Sequence, residues 1–116
     1  MDRIKRAERE IYQLQAEICK VLANPIRLEI LHLIGPRDVT FSELLSALQI
    51  SKSNLSQHLA VLRKSKIVMD RREGVHTFYR LTYPEIATAC EAVQKVLARH
   101  LRATGKRAKI LLRQVA

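Results

Sequence analysis

The run Ser51-Lys52-Ser53-Asn54-Leu55-Ser56-Gln57-His58 crowds short hydrogen-bonding side chains into two turns of what its spacing predicts to be a helix. An exposed helix ordinarily has Glu and Lys at such positions, because Ser and Asn compete with the backbone for hydrogen bonds. Lys52, Ser53, Asn54, Ser56, Gln57 and His58, with Ser51 ahead of them, instead suit a helix N-terminus pushed into the major groove of a duplex. Amide, hydroxyl and imidazole groups pair with base edges there, and the first backbone amides meet phosphate. The plainer alternative is a surface helix of unusual composition. A second run, Asp70-Arg71-Arg72-Glu73-Gly74-Val75-His76, sets two arginines and a histidine around a tight-turn dipeptide. At the tip of a projecting ribbon, Arg71, Arg72 and His76 would clamp the backbone or enter a minor groove. Arg63, Lys64 and Lys66, at the end of the polar helix, meet phosphate or complement the helix C-terminus.

Charge is distributed to match. The chain has 116 residues and a formal net charge of +10, but residues 1–50 balance seven Lys/Arg against seven Asp/Glu. Residues 51–80, which contain both runs, hold seven basic residues against two acidic, and residues 99–116 hold six against none. Two basic blocks point to a polyanionic partner more directly than to general solubility. The C-terminal block taken alone is equally well read as a solvated tail.

The elements that must position these residues follow from periodicity. Ile4, Ala7, Ile11, Leu14, Ile18 and Val21 recur at spacings of three and four, which predicts a helix from about Arg3 to Ala23 with one apolar seam. Such a seam at the end of a small domain suits a partner chain. Asn24-Pro25 interrupts it, and Pro25 suits the first turn of a helix over Ile26–Ile34 that is apolar on most sides and therefore expected to be buried; Gly35-Pro36 ends it. Thr40-Phe41-Ser42-Glu43 matches a capping box opening a helix with Leu44, Leu45 and Leu48. Ser51 caps the next, whose apolar face is Leu55, Leu59 and Leu62. Two short helices so closely joined form a helix-turn-helix. Ile67–Arg72 and Val75–Leu81 read as strands flanking Glu73-Gly74, a hairpin. A last helix opens near Pro84-Glu85, with Ile86, Ala89/Cys90, Val93, Val96/Leu97 and His100/Leu101 on its stripe, and Gly105 breaks it.

Three segments in this order, Leu22-Ala23-Asn24-Pro25-Ile26-Arg27-Leu28-Glu29-Ile30-Leu31, then Ser51 through Arg63, then Arg71 through Leu81, resemble the ArsR/SmtB family of bacterial winged-helix repressors. The resemblance spans residues 15–97. It implies a mainly α fold with a small β component (α+β), a winged helix-turn-helix with N- and C-terminal dimerisation helices and a two-stranded β wing. The domain would be residues 1–104, followed by a basic tail over 105–116. It further implies a homodimer, a double-stranded DNA operator as partner, and release of that operator when a metal, metalloid or thiol-reactive effector binds.

The family's familiar metal positions are not filled here. Val39–Leu45, where arsenite-binding members have a cysteine cluster, has no cysteine, and Tyr83, Glu85, Val96 and Arg99 replace the ligands of the zinc-type site. No metal site and no cofactor are therefore expected. Cys19 and Cys90 remain as the effector or redox candidates. The resemblance implies that their helices pack together. Three readings stay open: small buried hydrophobes, a redox or persulfide switch, or ligands for a soft ion lacking a third thiolate.

Other classes are excluded or weaker. No nucleophile–base constellation, phosphate-cradling glycine loop or substrate-sized enclosure suggests an enzyme. No apolar run is long enough to span a bilayer and no signal-peptide core opens the chain, so a cytoplasmic protein is expected. A nonspecific architectural DNA binder and a winged-helix protein-interaction adaptor are the alternatives to a sequence-specific regulator.

Overall fold

A computed structural model describes residues 2–105. The element order is α1 (Asp2–Leu22), α2 (Pro25–Ile34), β1 (Val39–Thr40), α3 (Phe41–Leu48), α4 (Lys52–Lys64), β2 (Val68–Glu73), β3 (His76–Leu81) and α5 (Glu85–Arg102). The strands form one antiparallel sheet in the order β1-β3-β2. Contacts divide the chain into two compact units, one ending at Pro84 and the other beginning at Glu85. Beyond Gly105 the basic tail expected from the sequence lies outside the described residues.

Each boundary has a local cause. The α1–α2 break is more than a proline effect. Asn24 is the N-cap of α2, and its Oδ1 accepts from the amides of Ile26 and Arg27 at 3.0 and 3.2 Å. Pro25 follows at the first helical position, where its missing N–H costs nothing. Gly35 ends the helix at φ +51, donating its amide to the Leu31 carbonyl. Only one face of α2 is buried: Ile30, Leu31 and Ile34 are enclosed, whereas Leu28 is 43% exposed. The expectation of burial on most sides thus holds for that face alone.

Half of the expected capping box forms. Glu43 donates its amide to Thr40 Oγ1 at 3.1 Å, but the Glu43 carboxylate turns outward to Arg37 at 3.5 Å. Thr40 also belongs to β1, a two-residue strand that the sequence reading did not include. Val39 pairs with Tyr79 and Thr40 with Phe78, so the hairpin gains a third strand and the start of α3 is bonded to the wing.

The core joins α2, α3, α4 and the root of the sheet. Leu44 from α3, Leu55 and Leu62 from α4, and Val68 from β2 are almost completely buried with the inner residues of α2. Burial of each such side chain stabilises by roughly 1.5–3 kcal/mol. The turn from α4 into β2 is a Schellman motif: the Ile67 amide reaches the Leu62 carbonyl and the Lys66 amide the Arg63 carbonyl, both at 2.9 Å. Lys66 occupies the left-handed position at φ +60, where glycine is usual. At the wing tip Gly74 takes φ +59 and Glu73 pairs with His76, so Gly74-Val75 is a two-residue loop with glycine first, the type II′ pattern.

Candidate nucleic-acid interface

The polar run lies where its spacing required. Leu55, Leu59 and Leu62 turn α4 inward, which leaves Lys52, Ser53, Asn54, Ser56 and Gln57 on the exposed side. Ser51 caps the helix, its Oγ accepting from the Asn54 amide at 3.1 Å. Among the described residues, the side chains of Ser53, Asn54, Ser56 and Gln57 make no hydrogen bond within the protein. A row of unengaged donors and acceptors on the first two turns is what base-edge recognition uses.

His58 differs from its neighbours in being half-buried. Burial, and secondarily the positive charge of Arg27 on α2, push its imidazole below the ordinary value of 6.5. The ring is therefore neutral near pH 7, with one nitrogen donating and the other accepting. Arg27 itself has its Nε buried without a hydrogen-bond partner. Sequence reasoning did not single out Arg27. Its signal was a cation three and four residues ahead of Ile30 and Leu31, on the inward side of α2.

The basic candidates divide into engaged and free. Arg63 Nη1 donates to Asp70 Oδ2 at 3.2 Å, tying the end of α4 to the root of β2. Beside this pair a shallow cleft of about 180 Å³ opens between α4 and β3, lined by Ser56, Leu59, Ala60, Arg63 and Tyr79. The Tyr79 phenol is raised above its ordinary value of 10.0, by burial first and then by the Asp70 charge.

On the hairpin, Arg71 and Arg72 do not share a face, because successive strand residues point to opposite sides. Arg71 lies across from Phe78 and stacks over its ring at 4.7 Å. Its Nη1 donates to Asp38 Oδ2, and its Nε to Glu73 Oε1 at 2.9 Å. The hydrogen bond to Asp38, then that to Glu73, raise its guanidinium above its ordinary value. Arg72 lies across from Thr77 and, among the described residues, pairs with no carboxylate. His76, exposed at the tip, packs edge-on to Phe78 with ring centroids 6.4 Å apart. Asp38 had no sequence signal, since it is 33 residues from its partner.

The two thiols are free. Cys19 is exposed on α1, and Cys90 is half-buried on α5, where burial raises its thiol above the ordinary value. Among the described residues no three His, Cys, Asp or Glu side chains gather as a metal site would require.

A capped polar helix preceded by a short helix and followed by a hairpin is a winged helix-turn-helix, a DNA-binding domain. Comparison with known proteins agrees. Residues 22–71 match a family model described as a helix-turn-helix domain. The HTH-type transcriptional regulator Rv0081 of Mycobacterium tuberculosis is 45% identical over 92 residues, spanning 78% of this chain and 81% of that protein. Its crystal structure superposes with a TM-score of 0.73 at 43% identity, covering 81% of this chain and 95% of the other. The transcriptional activator HlyU of Vibrio cholerae is 37% identical over 68% of this chain and 73% of its own. The solution structure of the homodimeric winged helix-turn-helix domain of Mb0332 from Mycobacterium bovis, described as a possible ArsR-family regulator, gives a TM-score of 0.71 at 29% identity. It covers 81% of this chain and 87% of that one.

The chain belongs to the ArsR family of winged helix-turn-helix transcriptional regulators. It is a DNA-binding transcriptional regulator, and no helix among its described residues is long and apolar enough to cross a membrane.

Proposed function

We propose that this regulator is a cytoplasmic homodimeric repressor that reads operator DNA through Ser53, Asn54, Gln57 and His58. The observation that supports this best is the exposed, unengaged polar face on the first turns of α4. Ser51, Lys52 and Ser56 flank that face, and Arg72 and His76 extend it along the wing. Arg63 supports the arrangement through Asp70. An architectural binder would need the charge but not this set of amides and hydroxyls, and an adaptor would need neither.

Dimerisation is supported by apolar surface that one copy leaves uncovered. On α1, Ile4, Ile11, Leu14 and Ile18 are 65%, 61%, 54% and 45% exposed, and on α5 Val93 and Val96 are 68% and 66% exposed. Contiguous stripes of this kind mark interaction faces. Relatives named as repressors, SdpR of Bacillus subtilis among them, support reading it as a repressor.

For the effector, the proposal is a thiol-reactive species or soft metal acting at Cys19 and Cys90. Cys19 is open to reagents, whereas burial keeps the Cys90 thiol protonated, so Cys19 reacts first. In the oxidative version both thiols lose their protons and two electrons pass to an external oxidant as a disulfide forms.

The test is selection of binding duplexes from a randomised library, followed by competition against scrambled duplex. A recurring imperfect palindrome bound at least about a thousandfold more tightly than scrambled sequence is expected. Equal affinity for both would leave the architectural reading, and no affinity would leave the adaptor. Treatment of wild type, Cys19→Ser and Cys90→Ser with oxidant then tests the effector. Release by wild type and its loss in the variants is expected.

A further inference from the structure

We propose that Arg71 is a positioning residue, not a DNA contact, and that with Asp38 it latches the wing to the start of the helix-turn-helix, leaving Arg72 as the wing's phosphate ligand. This rests on the DNA-binding reading and divides labour within it. Arg71 engages two of its three guanidinium nitrogens on the protein itself: Nη1 on Asp38 and Nε on Glu73. One face of the guanidinium lies on the Phe78 ring at 4.7 Å. A phosphate would have to compete with two carboxylates already in place and with a ring that favours the cation.

The partners explain what the latch holds. Asp38 immediately precedes β1, whose Thr40 both pairs with Phe78 and caps α3. Phe78 lies across from Arg71 on the neighbouring strand. Arg71 therefore bridges from the outer strand, over the middle strand, to the segment that opens the helix-turn-helix. Two residues of β1 pairing alone make a short hinge, and the Arg71–Asp38 bridge adds a second attachment on the same edge. An isolated surface ion pair contributes little to stability. This one spans two elements, so its effect falls on where the tip of the wing stands relative to α4. Arg72 points to the opposite face with no partner among the described residues, and its charge is available to the duplex.

The experiment uses the full chain and the duplex it enriches from a randomised library, with affinity measured across a salt series. Arg72→Gln should lower the slope of log affinity against log salt by about 0.9, the loss of one phosphate contact. Arg71→Gln should weaken binding about tenfold with the slope unchanged, and Asp38→Asn should do the same; the double variant should be no weaker than either single. Arg71→Lys keeps the charge but not the fork, and should behave as Arg71→Gln does. A slope lowered by Arg71→Gln, full binding by Arg71→Lys, or tighter binding by Asp38→Asn would each overturn the latch.

A DNA-free measurement keeps the inference testable if no duplex is enriched. In amide NMR spectra, Asp38→Asn and Arg71→Gln should shift a shared set of resonances running from Val39 through Phe78 to Glu73. Separate, local shifts would show that the two residues are not coupled, whatever the protein binds.

Discussion

At the residue scale, α4 separates what reads sequence from what merely attracts a polyanion. Replacing Asn54 or Gln57 with Ala removes amide groups that pair with base edges but no charge. Specific binding should fall by roughly 1–3 kcal/mol while affinity for random duplex stays nearly constant. Parallel titrations on selected and scrambled duplex check this, and equal losses on both would remove these residues from base recognition. His58 makes a second prediction, for stability. Its folded value lies below the 6.5 of the unfolded chain because of burial and then Arg27. As pH falls through 6.5, the unfolded chain takes up a proton that the folded ring resists. The stabilisation is therefore complete above that pH and is lost on acidification. Urea unfolding between about pH 7 and about pH 5 should show a steeper decline for wild type than for His58→Gln. Parallel declines would mean that His58 does not contribute.

At the scale of elements, short helices and a small sheet depend on their ends. Thr40 is both a strand residue and the cap of α3, and the bond it accepts from the Glu43 amide is the only half of the capping box present. Thr40→Ala should cost about 1 kcal/mol in denaturant unfolding, whereas Glu43→Ala should cost little, because its carboxylate makes only an exposed pair with Arg37. The α4–β2 junction is more demanding. With Lys66 at φ +60, Lys66→Val would force a branched side chain into the left-handed region and should destabilise by about 1–2 kcal/mol. A neutral result would show that the turn relaxes out of the Schellman geometry.

At the scale of the whole molecule, the terminal helices set the assembly. A single copy leaves Ile4, Ile11, Leu14 and Ile18 of the α1 seam 45% exposed or more. Sedimentation at micromolar concentration should therefore give about twice 13.3 kDa. Ile11→Lys combined with Ile18→Lys should return the chain to monomer and weaken operator binding together. A wild-type monomer would refute the dimer while leaving the winged domain intact. Two recognition helices related by a twofold axis would then meet half-sites about 10 base pairs apart.

Local rules account for what was legible in advance. Apolar spacing and caps placed all five helices and both long strands to within a residue or two, because those signals act between neighbours in the chain. The exposed face of α4 was legible for the same reason: Leu55, Leu59 and Leu62 at helical spacing leave only one side for Ser53, Asn54 and Gln57. Contacts between distant segments were not. The β1 strand has two residues and no periodicity of its own, so only the β3 edge beside it makes it a strand. Arg71 and Arg72 are adjacent and chemically identical in sequence. Strand alternation and the arrival of Asp38 from 33 residues away engage one in ion pairs within the protein and leave the other without a carboxylate partner among the described residues. Likewise the packing of α2 against α4 half-buries His58 and brings the Arg27 charge to bear on it, and burial first, then that charge, lower its imidazole. Propensity and pattern are properties of a segment, whereas the pairing of charges is a property of the packed whole.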